Sequence, residues 1–122
     1  MGEEKENPGI VEFLDLFDEL PWHAEGVAPP GSTESIIYRD KTSKTYCRAL
    51  RLPIGFKGGK EPLHHDFDEV VFVVSGCLVN SYTGRSYGPG SVAVFPRGMA
   101  HGPFATPDGA VTLEFRHYVA QN

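Results

Sequence analysis

Residues 90–101 read Gly-Ser-Val-Ala-Val-Phe-Pro-Arg-Gly-Met-Ala-His, and they indicate the fold more clearly than any other part of the chain. A β-branched, apolar run ends at Pro96, and Gly98 follows shortly before His101. Proline presets the backbone angle of a turn, and glycine adopts the positive φ that many turns require. We therefore expect a strand, followed by a tight turn that directs His101 towards the interior.

A second informative stretch lies upstream, where residues 62–76 read Pro-Leu-His-His-Asp-Phe-Asp-Glu-Val-Val-Phe-Val-Val-Ser-Gly. The imidazoles of His64 and His65 and the carboxylate of Glu69 lead into a β-branched run that ends at Gly76. Consecutive side chains on a strand point to opposite faces, so we expect only one of the two histidines to face inward. Imidazole and carboxylate groups are common ligands of divalent transition metals.

The rest of the sequence has the composition of a small all-β domain. Its 122 residues fit one domain, and its 14 glycines and 10 prolines predict frequent turns. Short runs of β-branched and aromatic residues between turn signals are typical of a sandwich or barrel. The predicted strands cover residues 35–39, 45–52, 69–74, 77–82, 91–95 and 111–119.

The N-terminal segment has a different periodicity. Apolar residues at helical spacing predict a short amphipathic helix over residues 10–20, which Pro21 would end. Its apolar face comprises Ile10, Phe13, Leu14, Phe17 and Leu20. We therefore divide the chain into an N-terminal helix with an irregular lead-in over residues 1–34 and a single barrel over residues 35–122.

The charge balance argues against two classes of partner. The chain has 11 Lys and Arg against 16 Asp and Glu, a net charge of −5, without a basic cluster. Sequence-independent binding to nucleic acid or to anionic membranes needs clustered Lys and Arg, so we expect neither. The apolar runs are too short for a membrane span and the first residues do not resemble a secretory signal, which favours a cytoplasmic protein. Cys47 and Cys77 are expected to be free thiols.

Together the two stretches resemble the motifs of the cupin superfamily, and in particular its small, single-domain RmlC-like members. Glu69 and Gly76 have the glutamate-to-glycine spacing that ends the first motif, and residues 90–101 match the second motif up to its histidine. The final asparagine of that motif is replaced by Ala105. The resemblance implies an all-β fold, a double-stranded β-helix or jelly-roll barrel, to which the predicted N-terminal helix is added.

The resemblance also implies a metal inside the barrel. Its ligands would be one of His64 and His65, together with Glu69 and His101. The family's remaining ligand position falls on a leucine or a proline, depending on the register, and neither can coordinate a metal. Three ligands still suffice for a 2-His-1-carboxylate site, and the cofactor would be Fe(II), Mn, Zn, Ni or Cu.

Further side chains are candidates for a substrate pocket beside the metal. They are Tyr46, Arg48, Val71, Phe95, Phe104, Phe115 and His117. On the last strand, Phe115 and His117 share one face, and His117 would replace the missing ligand if that face were turned inward. The strand that begins at Glu69 is apolar on both faces, so its outer face needs a cover. We expect the N-terminal helix or a second copy of the chain to supply it, which predicts a homodimer.

The reaction is implied only by analogy, because cupins support many chemistries. The leading interpretation is a metal-binding cupin that acts on or binds a small organic molecule. As an enzyme it would be a metal-dependent dioxygenase of small diketones or aromatic ketones, with its catalytic residues unknown. One alternative is a non-catalytic barrel that senses a ligand or a metal. The other is a sugar isomerase or epimerase, with His65 and either Tyr82 or Tyr87 as its acid–base pair.

Overall fold

The chain folds into two antiparallel β-sheets that face each other. A computed structural model describes residue 13 and residues 15–24, 29–59 and 64–119. The strands in this part of the chain are β1 (Thr33–Arg39), β2 (Tyr46–Leu52), β3 (Phe56–Lys57), β4 (Asp68–Gly76), β5 (Leu78–Asn80), β6 (Ser86–Tyr87), β7 (Val92–Phe95), β8 (Phe104–Thr106) and β9 (Ala110–His117).

The strand order shows how the chain alternates between the sheets. The larger sheet has the order β1-β2-β9-β4-β7, and the smaller has the order β3-β8-β5-β6. Several hydrogen-bonded neighbours, such as β2 and β9, are far apart in sequence, as in jelly-roll folds. The prediction of an all-β fold is confirmed. The strands β3, β6 and β8 were not predicted, because runs of two or three residues are too short to show a periodicity.

The inner and outer faces of β4 follow the predicted alternation. Glu69, Val71 and Val73 are buried and face the interior. Val70 and Phe72 lie on the outer face, where each keeps 38% of its surface exposed. Further exposed apolar side chains of the larger sheet are Val92, Val94 and Phe115. This outer face fits the predicted homodimer, which stays a prediction.

The faces of β9 are the reverse of those that the pocket prediction required. Arg116 lies directly opposite Glu69 on β4, and opposed residues of an antiparallel pair project to the same side of the sheet. Arg116 and Glu114 therefore face the interior with Glu69, and Phe115 and His117 face outward. The prediction that Phe115 and His117 line the pocket is wrong, because this register places charged side chains inside.

A close approach of two backbones closes the barrel after β4. Gly76 has a φ of +76°, and a Cβ at this position would overlap the carbonyl oxygen of Gly109. Only glycine satisfies both the left-handed backbone and the lack of space. The glycine that ends the first sequence motif therefore has a steric function at this corner.

The predicted N-terminal helix does not form in the described part of residues 10–20. Residues 10–12 and 14 lie outside the described residues, and residues 16–19 form a turn. The Asp15 carboxylate accepts hydrogen bonds from the backbone N–H groups of Phe17 and Asp18 at 2.9 and 3.0 Å, which begins a turn at this point. Pro21 has no backbone N–H to extend this turn further along the chain, and Phe17 is half exposed.

Two simpler expectations concern membrane spans and thiols. Among the described residues, no helix has the length and apolar character needed to cross a membrane. Cys47 and Cys77 are free thiols, as predicted.

Candidate metal centre

A tight turn after β7 brings the second motif into the barrel. The N–H of Met99 donates to the carbonyl of Pro96 at 3.0 Å, and Gly98 has a φ of +79°. A positive φ at the third residue is the signature of a type II turn, which explains why glycine occupies this position. The chain then enters the interior at His101, the residue that the sequence placed after this turn.

Two contacts join this turn to the start of β4. The N–H of Gly98 donates to the carbonyl of His65 at 2.8 Å. Arg97 donates from its backbone N–H to Asp68 Oδ1 at 2.8 Å, and its guanidinium lies 2.7 Å from Asp68 Oδ2. Asp68 therefore holds the turn, and the Arg97 hydrogen bonds lower the pKa of this carboxyl to about 2. These contacts fix the position of His101 relative to His65 and Glu69.

Three predicted site residues meet inside the barrel. The potential ligand atoms of His65, Glu69 and His101 all lie within 4.8 Å of one another. His101 Nε2 is 3.9 Å from Glu69 Oε1. Metal–ligand bonds of about 2.0–2.2 Å allow two donors to be up to roughly 4.4 Å apart, so small side-chain rotations would let all three bind one ion.

The ring nitrogens of His101 are placed as metal ligands would be. Both of its ring nitrogens are buried, and neither forms a hydrogen bond with the described residues. Burial, aided by the positive potential of His65 and Arg116, lowers the pKa of His101 to about 4, so its imidazole is neutral at pH 7. Buried polar atoms are normally hydrogen-bonded, and a neutral imidazole can offer a lone pair to a metal. The donor set therefore fits a divalent cation.

His65 faces the same interior space as His101. Its ring stacks on Phe67 with centroids 4.4 Å apart and lies 4.8 Å from the ring of His101. Burial lowers the pKa of His65. The neighbouring His64 is exposed, with Nδ1 3.3 Å from the carbonyl oxygen of Gly98, and lies outside the group. One histidine of the pair thus points inward, although both residues precede the first residue of β4.

The two carboxylate oxygens of Glu69 face different neighbours. Its Oε2 accepts a hydrogen bond from Arg116 Nε at 2.7 Å, and its Oε1 faces His101. Burial and the nearby Glu114 raise the pKa of Glu69, and Arg116 opposes this rise. Arg116 also donates to the hydroxyl of Tyr46 at 3.0 Å, which fixes the guanidinium. Oε1 is therefore the carboxylate oxygen left for a metal.

A buried ion network lies beside this group. Arg48 donates to Glu114 Oε1 from Nε at 3.0 Å and to Glu34 Oε1 at 2.9 Å, and it is only 1% exposed. Thr112 completes the network by donating to Glu114 Oε2 at 2.9 Å. Strand register explains the contacts, because Arg48 lies directly opposite Glu114. A buried charge needs such partners, since an unpaired one would be very costly.

Comparison with solved structures identifies this architecture. The chain superposes on an RmlC-like cupin from Shewanella frigidimarina with a TM-score of 0.67 and 14% identity, covering 91% of this chain and 95% of that chain. This chain folds as a cupin. No protein-family model matches the sequence, and none of the curated proteins matches it.

Other similar cupins differ in the activities for which they are named. An acetylacetone dioxygenase from Acinetobacter johnsonii matches with a TM-score of 0.67 and 13% identity, over 92% of this chain and 77% of that chain. A sugar phosphate isomerase of the cupin superfamily from Silicibacter pomeroyi matches with a TM-score of 0.62 and 24% identity, over 88% and 76% of the chains. At these identities the likeness establishes the cupin fold.

A cavity of about 710 Å³ lies inside the cupin barrel, next to the three potential ligands. Four of the predicted pocket residues line it, namely Arg48, Val71, Phe95 and Phe104. Tyr46 is buried and is not among the residues that line the cavity. Its hydroxyl accepts a hydrogen bond from Arg116, which does line the cavity. Of the two tyrosines considered for an acid–base pair, Tyr87 lines the cavity and Tyr82 is exposed.

Sequence reasoning missed the partners of the predicted residues. Glu34, Glu114 and Arg116 were not assigned to the site, although all three lie in β-runs where a charge is unusual. Arg48 and Glu114 each follow apolar or small residues in a predicted strand, and opposite charges at such positions of two strands are a signal for a buried pair. The pairing partners depend on which strands are neighbours, and that information is not local in the sequence.

Proposed function

We propose that this cupin binds a divalent metal through His65, Glu69 and His101 and uses it to act on a small organic molecule. The observation that carries the proposal is the geometry of these three side chains, because two imidazoles and a carboxylate offer ligand atoms within 4.8 Å of one another beside the cavity. A 2-His-1-carboxylate set suits Fe(II), and the same donor types accept Mn, Zn, Ni or Cu. When bound, the metal would supply a Lewis acid with open positions for other ligands.

The finer proposal is oxygen-dependent cleavage of a small diketone or aromatic ketone. An acetylacetone dioxygenase is among the similar structures, and the cavity wall contains apolar side chains that suit such molecules. The chain's own residues would orient the substrate and keep water out, while Arg116 holds Glu69 in place. A sugar is a poorer fit for the part of the wall formed by Leu50, Leu52 and Val73, because its hydroxyl groups would lose hydrogen bonds against these aliphatic side chains.

A second candidate function is ligand binding without turnover. Among the described residues, the carboxylates that line the cavity are Glu69 and Glu114, and each is paired with an arginine, so neither is a free base for proton transfer. A barrel of this kind could hold the same metal and the same organic molecule as a sensor. Enzyme and sensor differ in one observable, the consumption of oxygen.

The test is oxygen uptake by the metal-loaded protein with acetylacetone, benzoylacetone and acetophenone. We expect at least one metal and substrate pair to consume one oxygen molecule per substrate, with H101A inactive under the same conditions. Binding by calorimetry without oxygen uptake, for every metal, would support the sensor and reject the dioxygenase. Activity on a sugar phosphate with no response to the ketones would reject both in favour of the isomerase.

A further inference from the structure

The cavity has two chemically different ends, and the strand register sets their positions. Arg116 lies opposite Glu69 near one end of β9, whereas Leu52 lies opposite Ala110 at the other end of the same strand. The potential metal ligands and the arginines therefore gather at one end of the barrel. Moving along the strands from this charged end leads into a region of aliphatic and aromatic side chains.

The apolar end is formed by the hydrophobic core itself. The cluster members that line the cavity are Leu50, Leu52, Val73 and Leu78, together with Phe56 and Phe104 packed against them. In a close-packed domain such side chains interdigitate and leave few voids larger than a water molecule. Here they form the wall of a cavity, and an apolar wall of this kind favours an apolar occupant.

Two polar side chains of the wall are already engaged elsewhere. The hydroxyl of Thr112 donates to Glu114 Oε2 at 2.9 Å. The Oδ1 of Asn80 accepts the backbone N–H groups of Tyr82 and Thr83 at 2.9 and 3.2 Å. The Thr112 proton and the Asn80 carbonyl oxygen are therefore already used in hydrogen bonds within the protein.

The length of the cavity suggests the shape of its ligand. Glu69 and Val73 both face inward on β4 and are four residues apart, which corresponds to about 13 Å along a strand. The volume of about 710 Å³ is that of a pocket for a molecule much larger than acetylacetone. A small diketone bound at the metal would leave the apolar end unfilled.

We propose that the ligand of this cupin carries ketone oxygens at one end and an alkyl or aryl tail at the other. The oxygens occupy the charged end beside His65, Glu69 and His101, and the tail occupies the apolar end around Leu50, Val73 and its neighbours. This inference rests on the proposed metal site for the position of the oxygens. The position of the tail rests on the apolar wall alone.

The experiment is a binding series with diketones of increasing chain length. Acetylacetone is compared with analogues in which one terminal methyl is replaced by propyl, pentyl or heptyl, titrated anaerobically into the metal-loaded protein. Each buried methylene should tighten binding roughly fourfold, so the pentyl analogue should bind about 200-fold more tightly than acetylacetone. Dissociation constants that are equal across the series would overturn the inference.

The same series with metal-free protein separates this inference from the proposed function. If metal increases the affinity for every analogue equally and chain length has no effect on affinity, the tail proposal fails and the metal proposal stands. If chain length matters and metal does not, the tail proposal stands and the metal proposal fails. Absence of binding by every analogue, with or without metal, contradicts both.

A variant that fills the apolar end gives an independent check. V73F places a larger side chain in the wall. It should weaken binding of the pentyl and heptyl analogues at least tenfold, while the affinity for acetylacetone changes by less than about twofold. V70F is the matched control, since Val70 lies on the outer face of the same strand. Equal affinities of V73F and V70F for the heptyl analogue would contradict the proposed position of the tail.

Discussion

Replacing His101 by alanine is expected to weaken metal binding at least 100-fold. The two ring nitrogens of His101 are buried and form no hydrogen bond with any residue that the structure describes, so the substitution removes no hydrogen bond among these residues. Its removal leaves only His65 and Glu69 as donors from the group. Changes to residues that merely support ligands cost about 10- to 100-fold in metal affinity, and loss of a ligand should cost more. The dissociation constant can be measured by competition with a chromophoric chelator.

The matched control for H101A is H64A. His64 adjoins His65 in sequence, but its side chain is exposed and lies outside the group of potential ligands. We expect H64A to bind metal within about twofold of the unmodified chain. Retention of full affinity by H101A would remove His101 from the site. An equal loss in H64A would instead show that the imidazole pair is used differently from the arrangement described above.

Replacing Arg48 by methionine is expected to destabilise the fold by about 3–5 kcal/mol, because a broken buried ion pair leaves charge uncompensated. Arg48 is buried between the carboxylates of Glu34 and Glu114, at 2.9 Å from an oxygen of each. Methionine keeps much of the side-chain volume, so the loss reports the missing charge and hydrogen bonds rather than a void. Urea unfolding followed by circular dichroism gives the free energy of unfolding.

The control for R48M is R97M, which removes an arginine from an exposed pair. Arg97 and Asp68 are joined at 2.7 Å, but their side chains are 42% and 37% exposed. Exposed ion pairs contribute about 0–1 kcal/mol, so R97M should cost far less than R48M. The combined change R48M, E34Q and E114Q should recover part of the lost stability, because it removes the unpaired charges. Equal costs for R48M and R97M would contradict the account of the ion network.

The features that could be predicted from the sequence are those with local signals. The turn after Pro96 needs glycine at position 98, and the corner after β4 needs glycine at position 76. These two glycines therefore mark the ends of strands in the sequence. Runs of β-branched residues between such turns predict the long strands. The spacing of Glu69 from Gly76 and the turn before His101 then placed two of the three members of the candidate site.

The interior charges could not be predicted because they depend on pairing between distant strands. Glu34, Arg48 and Glu114 come from three strands, and only the register of the larger sheet brings them together. The same register decided the orientation of β9, where the apolar face turned out to be the outer one. Apolar alternation alone favoured the opposite assignment, because it assumes that the face with Phe115 is the buried one.

The choice between His64 and His65 also required the fold. Alternation of strand faces says that one of them points inward, but the residues lie before the first paired residue of β4, where the register begins. The hydrogen bond from the N–H of Gly98 to the carbonyl of His65 fixes this segment against the turn that carries His101. That contact joins two motifs about thirty residues apart, which local sequence patterns do not encode.

The central claim is that this barrel holds a metal, and metal analysis tests it most directly. The chain, purified without a histidine tag, would be supplied with Fe(II), Mn, Zn, Ni or Cu, freed of excess metal and assayed by mass spectrometry. The three facing side chains predict about one equivalent of at least one of these metals per chain. Less than about 0.1 equivalent of every metal after this treatment would contradict the claim.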